Sequence, residues 1–257
     1  MLLLALDTST RQASIALCSE EALSGEYSWD VGNNHSVELL LQIQYLVESC
    51  KKTMQDIDGL AVATGPGSFN GTRVAVATAK ALAFALRKPL VGVSTLDIIA
   101  AQQQRWIGPI CAILEAGRSE LYAACYLHEQ ATTESGEVSS YLQRLSDYLL
   151  LLPQQLCDYL QDHVGDWVGV PGERVLPPIL FCGEITMDSR QALRMHLPEM
   201  SLFLSPFQAT RHASTLAILA FQRLREGKTD DPLSLEPQYI RRPSITTSTR
   251  KQPLLGV

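Results

Sequence analysis

The residues best placed by type and spacing to do chemistry fall in two short stretches. Gly65-Pro66-Gly67-Ser68-Phe69-Asn70-Gly71 joins an apolar run to the start of a helix. Backbone N–H groups and the helix dipole make such a junction an anion site. The stretch is not a Walker loop, because no Gly-Lys-Ser/Thr ends it and Pro66 has no N–H. Nor is it a Gly-x-Gly-x-x-Gly fingerprint, since its glycines fall at 65, 67 and 71. A tight strand-to-helix turn that uses glycine at positive φ explains the residues more simply than phosphate binding does. The second stretch is Asp7-Thr8-Ser9-Thr10. Asp7 is placed to hold a magnesium-bound nucleotide phosphate, with Thr8 and Ser9 beside it. A capped turn accounts for the same residues and needs no second phosphate loop.

Other candidates are weaker. His35 precedes a helix, but a His-x-x-x-His metal pair needs a second histidine at 39, where Leu39 stands. His128, His163, His196 and His212 show no ligand spacing, and no Gly-x-Ser-x-Gly elbow is present. Glu115 and Glu120 flank Gly117-Arg118 and read as a solvated hairpin rather than as a pair of catalytic carboxylates. Cys18, Cys50, Cys111, Cys125, Cys157 and Cys182 are scattered, with no Cys-x-x-Cys, and read as buried free thiols of a reducing compartment.

The elements that position these residues follow an α/β order. Leu2–Leu6 is a short apolar run suited to a strand buried on both faces. Strands at 13–19 and 22–29, a helix at 36–50, a strand at 59–64, a helix at 72–87 and a strand at 90–93 follow. Strands at 110–114 and 120–127 open the second half, and 130–172 gives no clear pattern. Strands at 179–182 and 201–204 and a helix at 214–226 come next. From Lys228 on, the chain is rich in Pro, Ser, Thr and charge and reads as extended. The chain has 257 residues, room for about one or two domains. Its 46% apolar content excludes a disordered or fibrous protein. With 21 basic and 27 acidic residues its net charge is −6, which argues against a stand-alone nucleic-acid binder. Met-Leu-Leu-Leu-Ala-Leu lacks a basic flank and ends at Asp7, and no run approaches the ~20 apolar residues of a membrane span. The expectation is a cytoplasmic protein with no membrane association.

Two helices carry more apolar surface than one core needs. On the first, Leu39, Leu40, Ile43, Leu46, Val47 and Cys50 fall within an arc of roughly 120°, the expected core stripe. Val37, Leu41 and Tyr45 form a second stripe at i, i+4, i+8. On the second, Arg73, Lys80 and Arg87 repeat at spacing seven, and almost everything else is Ala, Val, Leu or Phe. Two such helices favour a helix-to-helix contact with another chain.

The strings Leu-Ala-Leu-Asp7-Thr8-Ser9-Thr10, Ala13-Ser14-Ile15-Ala16, His35-Ser36-Val37-Glu38-Leu39-Leu40 and Gly65-Pro66-Gly67-Ser68-Phe69-Asn70-Gly71-Thr72-Arg73 resemble the TsaB (YeaZ) family. Glu236-Pro237-Gln238-Tyr239-Ile240-Arg241 resembles that family's end. Gly65, Pro66, Gly67, Ser68, Phe69, Gly71 and Arg73 carry the motif, and Asn70 stands where the family usually has Thr. The resemblance implies an actin-like (ASKHA, ribonuclease H-like) α/β fold of two lobes, each a mixed sheet flanked by helices. The lobes would span 1–106 and 107–208, with a helix at 209–226 packing back on the first lobe and an extended tail at 227–257. It also implies a non-catalytic subunit in the synthesis of N6-threonylcarbamoyladenosine (t6A) in tRNA. Such a subunit pairs with the transferase TsaD, on which the ATPase TsaE docks, while TsaC supplies the adenylate. It dimerises with itself when alone and meets tRNA only through the complex. No cofactor is expected on this chain, ATP and metal being expected on partner subunits. The expected partner face comprises Val37, Leu41, Tyr45, Val76, Ala79, Lys80, Ala83 and Arg87. Two other readings are an ATP-dependent kinase or transferase of the ASKHA superfamily and a glycoprotease-like peptidase. The first would need a second glycine-rich phosphate loop in the C-terminal half, and the second a nucleophile–base pair.

Overall fold

Leu2–Asp7 (β1) is apolar up to its final residue and lies in the middle of a five-stranded sheet. The computed structural model describes residues 1–31, 35–132, 138–169 and 178–241. Turns join β1 to β2 (Gln12–Ser19) and β2 to β3 (Leu23–Asp30), and both pairs are antiparallel. On its other side β1 pairs in parallel with β4 (Gly59–Ala63), which pairs in parallel with β5 (Leu90–Val93). Helix α1 (His35–Ser49) connects β3 to β4, α2 (Phe69–Leu86) connects β4 to β5, and α3 (Thr95–Ala101) follows. Side-chain alternation along the strands divides the core. Leu4, Leu6, Ile15 and Leu17 face α1 and α2, while Leu3, Ala5, Ala16 and Cys18 point to the opposite side.

The second half repeats this plan. β6 (Ile110–Gly117), β7 (Glu120–Thr132) and β8 (Val138–Arg144) are antiparallel neighbours. β10 (Ile179–Cys182) and β11 (Ser201–Phe203) extend the sheet in parallel on the other side of β6. The order β8-β7-β6-β10-β11 therefore matches β3-β2-β1-β4-β5 strand for strand. A short β9 (Leu149–Leu151) pairs with β7, and α4 (Pro153–Trp167) and α5 (Met187–His196) cover one face, as α1 and α2 do in the first half.

The last helix of each half packs on the other sheet. Leu96, Ile99 and Ala100 of α3 join Ile110, Ala112, Ala124 and Tyr126. Ala213, Leu216, Ala217, Ala220 and Phe221 of α6 (Ala213–Arg225) join Leu3, Ala5, Ala61 and Val91. This exchange interlocks the two halves. Asp97 of α3 is held by the hydroxyls of Tyr126 at 2.7 Å and Tyr148 at 3.0 Å, and burial pushes its carboxyl above the usual range despite those two donors.

Three differences from the sequence reading have physical causes. Helix α2 begins at Phe69 rather than 72, because Ser68 is its N-cap and accepts from the Gly71 N–H at 3.3 Å. The unclear stretch 130–172 holds part of β7, then β8, β9 and α4, whose buried residues are Leu156, Cys157, Leu160, Val164 and Gly165. Residues 228–241 are fastened to the first lobe. The Asp230 N–H donates to Leu90 O at 2.8 Å and the Gln238 N–H donates to Thr64 O at 2.7 Å. Residues 242–257 of the expected tail lie outside the described residues. Among the described residues no helix is long and apolar enough to cross a membrane.

Candidate functional site: an interlobe cleft and an exposed helix face

The glycine loop lies against the β1–β2 turn, backbone to backbone. A Cβ on Gly67 would fall 2.0 Å from Ser9 O, and one on Gly71 would fall 2.0 Å from Thr8 O. Only glycine permits that approach. The Ser68 N–H donates to Ser9 O at 2.6 Å and the Thr8 hydroxyl donates to Gly71 O at 2.7 Å. Two of the donors an anion would use, the N–H groups of Ser68 and Gly71, are therefore engaged within the chain. Phe69 and Arg73 face the C-terminal segment. Arg73 lies over the Phe69 ring at 3.9 Å, and its Nε donates to the Tyr239 hydroxyl at 2.8 Å.

Asp7 is 1% exposed, and its partner is Arg211, also 1% exposed, just ahead of α6. Asp7 Oδ1 accepts from the Ser9 N–H at 2.8 Å and the Ser9 hydroxyl at 2.6 Å, and Oδ2 accepts from Arg211 Nε at 2.9 Å. Arg211 also donates to Glu184, which follows β10, and to Thr10 Oγ1 at 2.9 Å and Gln12 O at 2.8 Å. Burial disfavours the charged guanidinium, but Asp7 and Glu184 outweigh that cost and hold its pKa above the ordinary arginine value. Beside this cluster a cavity of about 630 Å³ opens between the lobes, lined by residues including Ser68, Tyr122, Glu184, Ile185, Arg190 and Ala209.

An actin-like cleft implies a nucleotide with a divalent ion near the first-strand carboxylate. The residues present do not fit that ion. Both oxygens of Asp7 are engaged, and Oδ2 is taken by a guanidinium that four acceptors fix in place. Among the described residues no group of three or more His, Cys, Asp or Glu side chains converges to hold a metal. Arg211 and Glu184 were missed in the sequence reading. A buried arginine has no local signature, and a single glutamate after a strand has none either.

The second candidate site is the outer face of α1 and α2, which lie side by side on one face of the first sheet. Leu39, Ile43, Leu46 and Val47 enter the core. Leu41 is 61% and Tyr45 54% exposed, with Tyr45 meeting Tyr27 edge-on at 5.4 Å. Leu40, assigned on the sequence to the core stripe, is also exposed. The side chain of Val37 lies outside the described residues.

On α2 the expected partner face needs correction. Val76, Ala79 and Ala83 are buried against the sheet with Leu4, Leu6 and Leu60. An alanine-rich helix carries few polar residues to mark its outside, so its orientation was not legible. Of the expected residues Arg87 is exposed, and the other outward residues along the body of α2 are Arg73, Ala77, Ala81, Phe84 and Ala85, with Phe84 74% exposed. Lys80 is half-buried and donates to the carbonyls of Leu233 at 3.3 Å and Leu235 at 2.9 Å. The basic stripe thus divides: Arg73 and Lys80 fasten the C-terminal segment, and Arg87 caps α2 in the left-handed conformation at φ 56°.

Two mixed sheets of identical strand order, each covered by helices, define an actin-like α/β protein. A family model described as "TsaD: tRNA N6-adenosine threonylcarbamoyltransferase" matches residues 30–248. The tRNA threonylcarbamoyladenosine biosynthesis protein TsaB of Bacillus subtilis (strain 168) is 30% identical over 94% of both chains. Its namesake from Escherichia coli (strain K12) is 27% identical over 94% of this chain and 95% of its own. The solved structure of YeaZ from Pseudomonas aeruginosa superposes with a TM-score of 0.68 at 25% identity, covering 93% of this chain and 99% of that one. The chain belongs to the TsaB (YeaZ) family.

Proposed function

We propose that this chain is a non-catalytic subunit of the machinery that makes t6A in tRNA, and that it acts by binding and activating the transferase TsaD. The observation that carries this reading is the exposed apolar face of Leu40, Leu41 and Tyr45 on α1 with Ala77, Ala81, Phe84 and Ala85 on α2. Large apolar side chains exposed on two neighbouring helices are the kind of surface that marks an interaction site. The TsaD-type family model spans most of this chain, which supports a partner built on the same scaffold. Chains sharing a scaffold can pair through equivalent helices, and the same face serves a homodimer when TsaD is absent. The engaged Asp7 carboxylate supports a subunit that binds no ATP or metal of its own. TsaE docks on the heterodimer, tRNA is met only through the complex, and the work is cytoplasmic.

The test is to mix the chain with TsaD, TsaC, TsaE, tRNA, ATP, threonine and bicarbonate, scoring complex formation and t6A. Leu41→Glu and Phe84→Asp should abolish both while the isolated variants keep the wild-type melting temperature. Undiminished t6A synthesis without association would refute the reading.

A further inference from the structure

Four oxygens from the two lobes converge on one guanidinium. Asp7 Oδ2 at the end of β1, Thr10 Oγ1 and the Gln12 carbonyl come from the first lobe, at 2.9, 2.9 and 2.8 Å. Glu184, from the second lobe, accepts the remaining bond. Thr10 Oγ1 also donates to Glu184 Oε2 at 2.8 Å, so the two lobes are bonded to each other as well as to the arginine. Two carboxylates, a hydroxyl and a carbonyl form the oxygen donor set of a hard divalent cation. Here a planar cation carried by the chain satisfies that set, and its fixed fork of donors reaches partners on both sides at once.

We infer that Arg211 is a tethered cation that ties the lobes together in place of a cleft-bound metal–nucleotide, so that closure of the cleft is independent of ligand and the oxygen cluster takes a divalent ion only when Arg211 is removed. A second arginine acts in the same sense at the rim. Arg241, at the end of the fastened C-terminal segment, donates to Glu120 and to the Gly117 carbonyl at 3.3 Å in the β6–β7 turn. The segment that carries it is held to the first lobe by Lys80 and Arg73. Both ties are made from the chain's own charges. This inference concerns the cleft and stands or falls independently of the partner proposed for the helix face.

Mn²⁺ is the probe, with binding read by electron paramagnetic resonance and amide exchange read by mass spectrometry. The wild-type chain should bind no Mn²⁺ at micromolar concentration, and exchange at 8–12 and 183–186 should be the same with and without Mg²⁺-ADP. Arg211→Ala should gain one Mn²⁺ site. Adding Glu184→Gln to it should weaken that site about tenfold, as the ligand charge count falls. Should Arg211→Ala not fold, Glu184→Gln alone decides. It leaves Asp7 paired and should speed exchange in both segments about tenfold by loosening the tie. A stoichiometric Mn²⁺ site in the wild type would overturn the inference, as would protection of its cleft by Mg²⁺-ADP. A folded Arg211→Ala that takes up no Mn²⁺, or unchanged exchange in Glu184→Gln, would also overturn it.

Discussion

The interlobe cleft and the outer face of α1 and α2 treat their chemical groups in opposite ways. In the cleft the two carboxylates and two of the loop amides are answered from within: Asp7 by Ser9 and Arg211, Glu184 by Arg211 and Thr10, and the amides of Ser68 and Gly71 by Ser9 and Ser68. On the helix face Leu41 and Phe84 are mostly exposed, and Tyr45 keeps more than half its surface exposed beside Tyr27. The acidic groups of the cleft are satisfied by a cation of the same chain, whereas the helix face leaves large apolar side chains exposed.

Substitutions that strike the cleft should therefore cost stability, and substitutions on the face should cost association. Arg211→Ala strands two acidic groups, one of them fully buried, and should lower unfolding stability by about 3–5 kcal/mol in denaturant titrations. Ala83 and Ala81 lie two positions apart on α2, one inside and one outside. Ala83→Asp buries an unpaired charge and should cost roughly 3 kcal/mol, whereas Ala81→Asp should stay within about 0.5 kcal/mol of wild type. Equal losses at the two positions would erase the distinction between core and face on this helix. Gly71→Ala pushes a methyl group into the Thr8 carbonyl, and a loss of about 1–3 kcal/mol is expected, read as a lowered melting temperature. Lys80→Ala frees the carbonyls of Leu233 and Leu235 and should cost about 1 kcal/mol, with faster amide exchange confined to 230–239.

The same contrast explains what the sequence made legible. Apolar runs such as Leu2–Leu6 and Gly59–Ala63 announce buried central strands, because a strand covered on both faces has no reason to alternate. The second lobe was harder to read. β8 is an edge strand whose Tyr141, Gln143 and Arg144 are exposed, and α4 buries few of its residues among polar neighbours. The α1 face was visible because Leu41 and Tyr45 break a polar flank. The α2 face was not: with alanine on every side, only the sheet decides that Val76, Ala79 and Ala83 turn inward and Phe84 outward. Arg211 was beyond local pattern altogether. It lies 204 positions from Asp7, and nothing in its neighbours marks it as buried rather than solvated.

The most direct test of the account pairs the two regions in one assay. Wild-type, Phe84→Asp and Glu184→Gln chains are titrated into TsaD, the complex is followed by sedimentation, and t6A is measured in the same samples. The account predicts that Phe84→Asp, with an unchanged melting temperature, neither sediments with TsaD nor supports t6A formation, while Glu184→Gln still associates. Phe84→Asp sedimenting with TsaD and giving full t6A synthesis would contradict it.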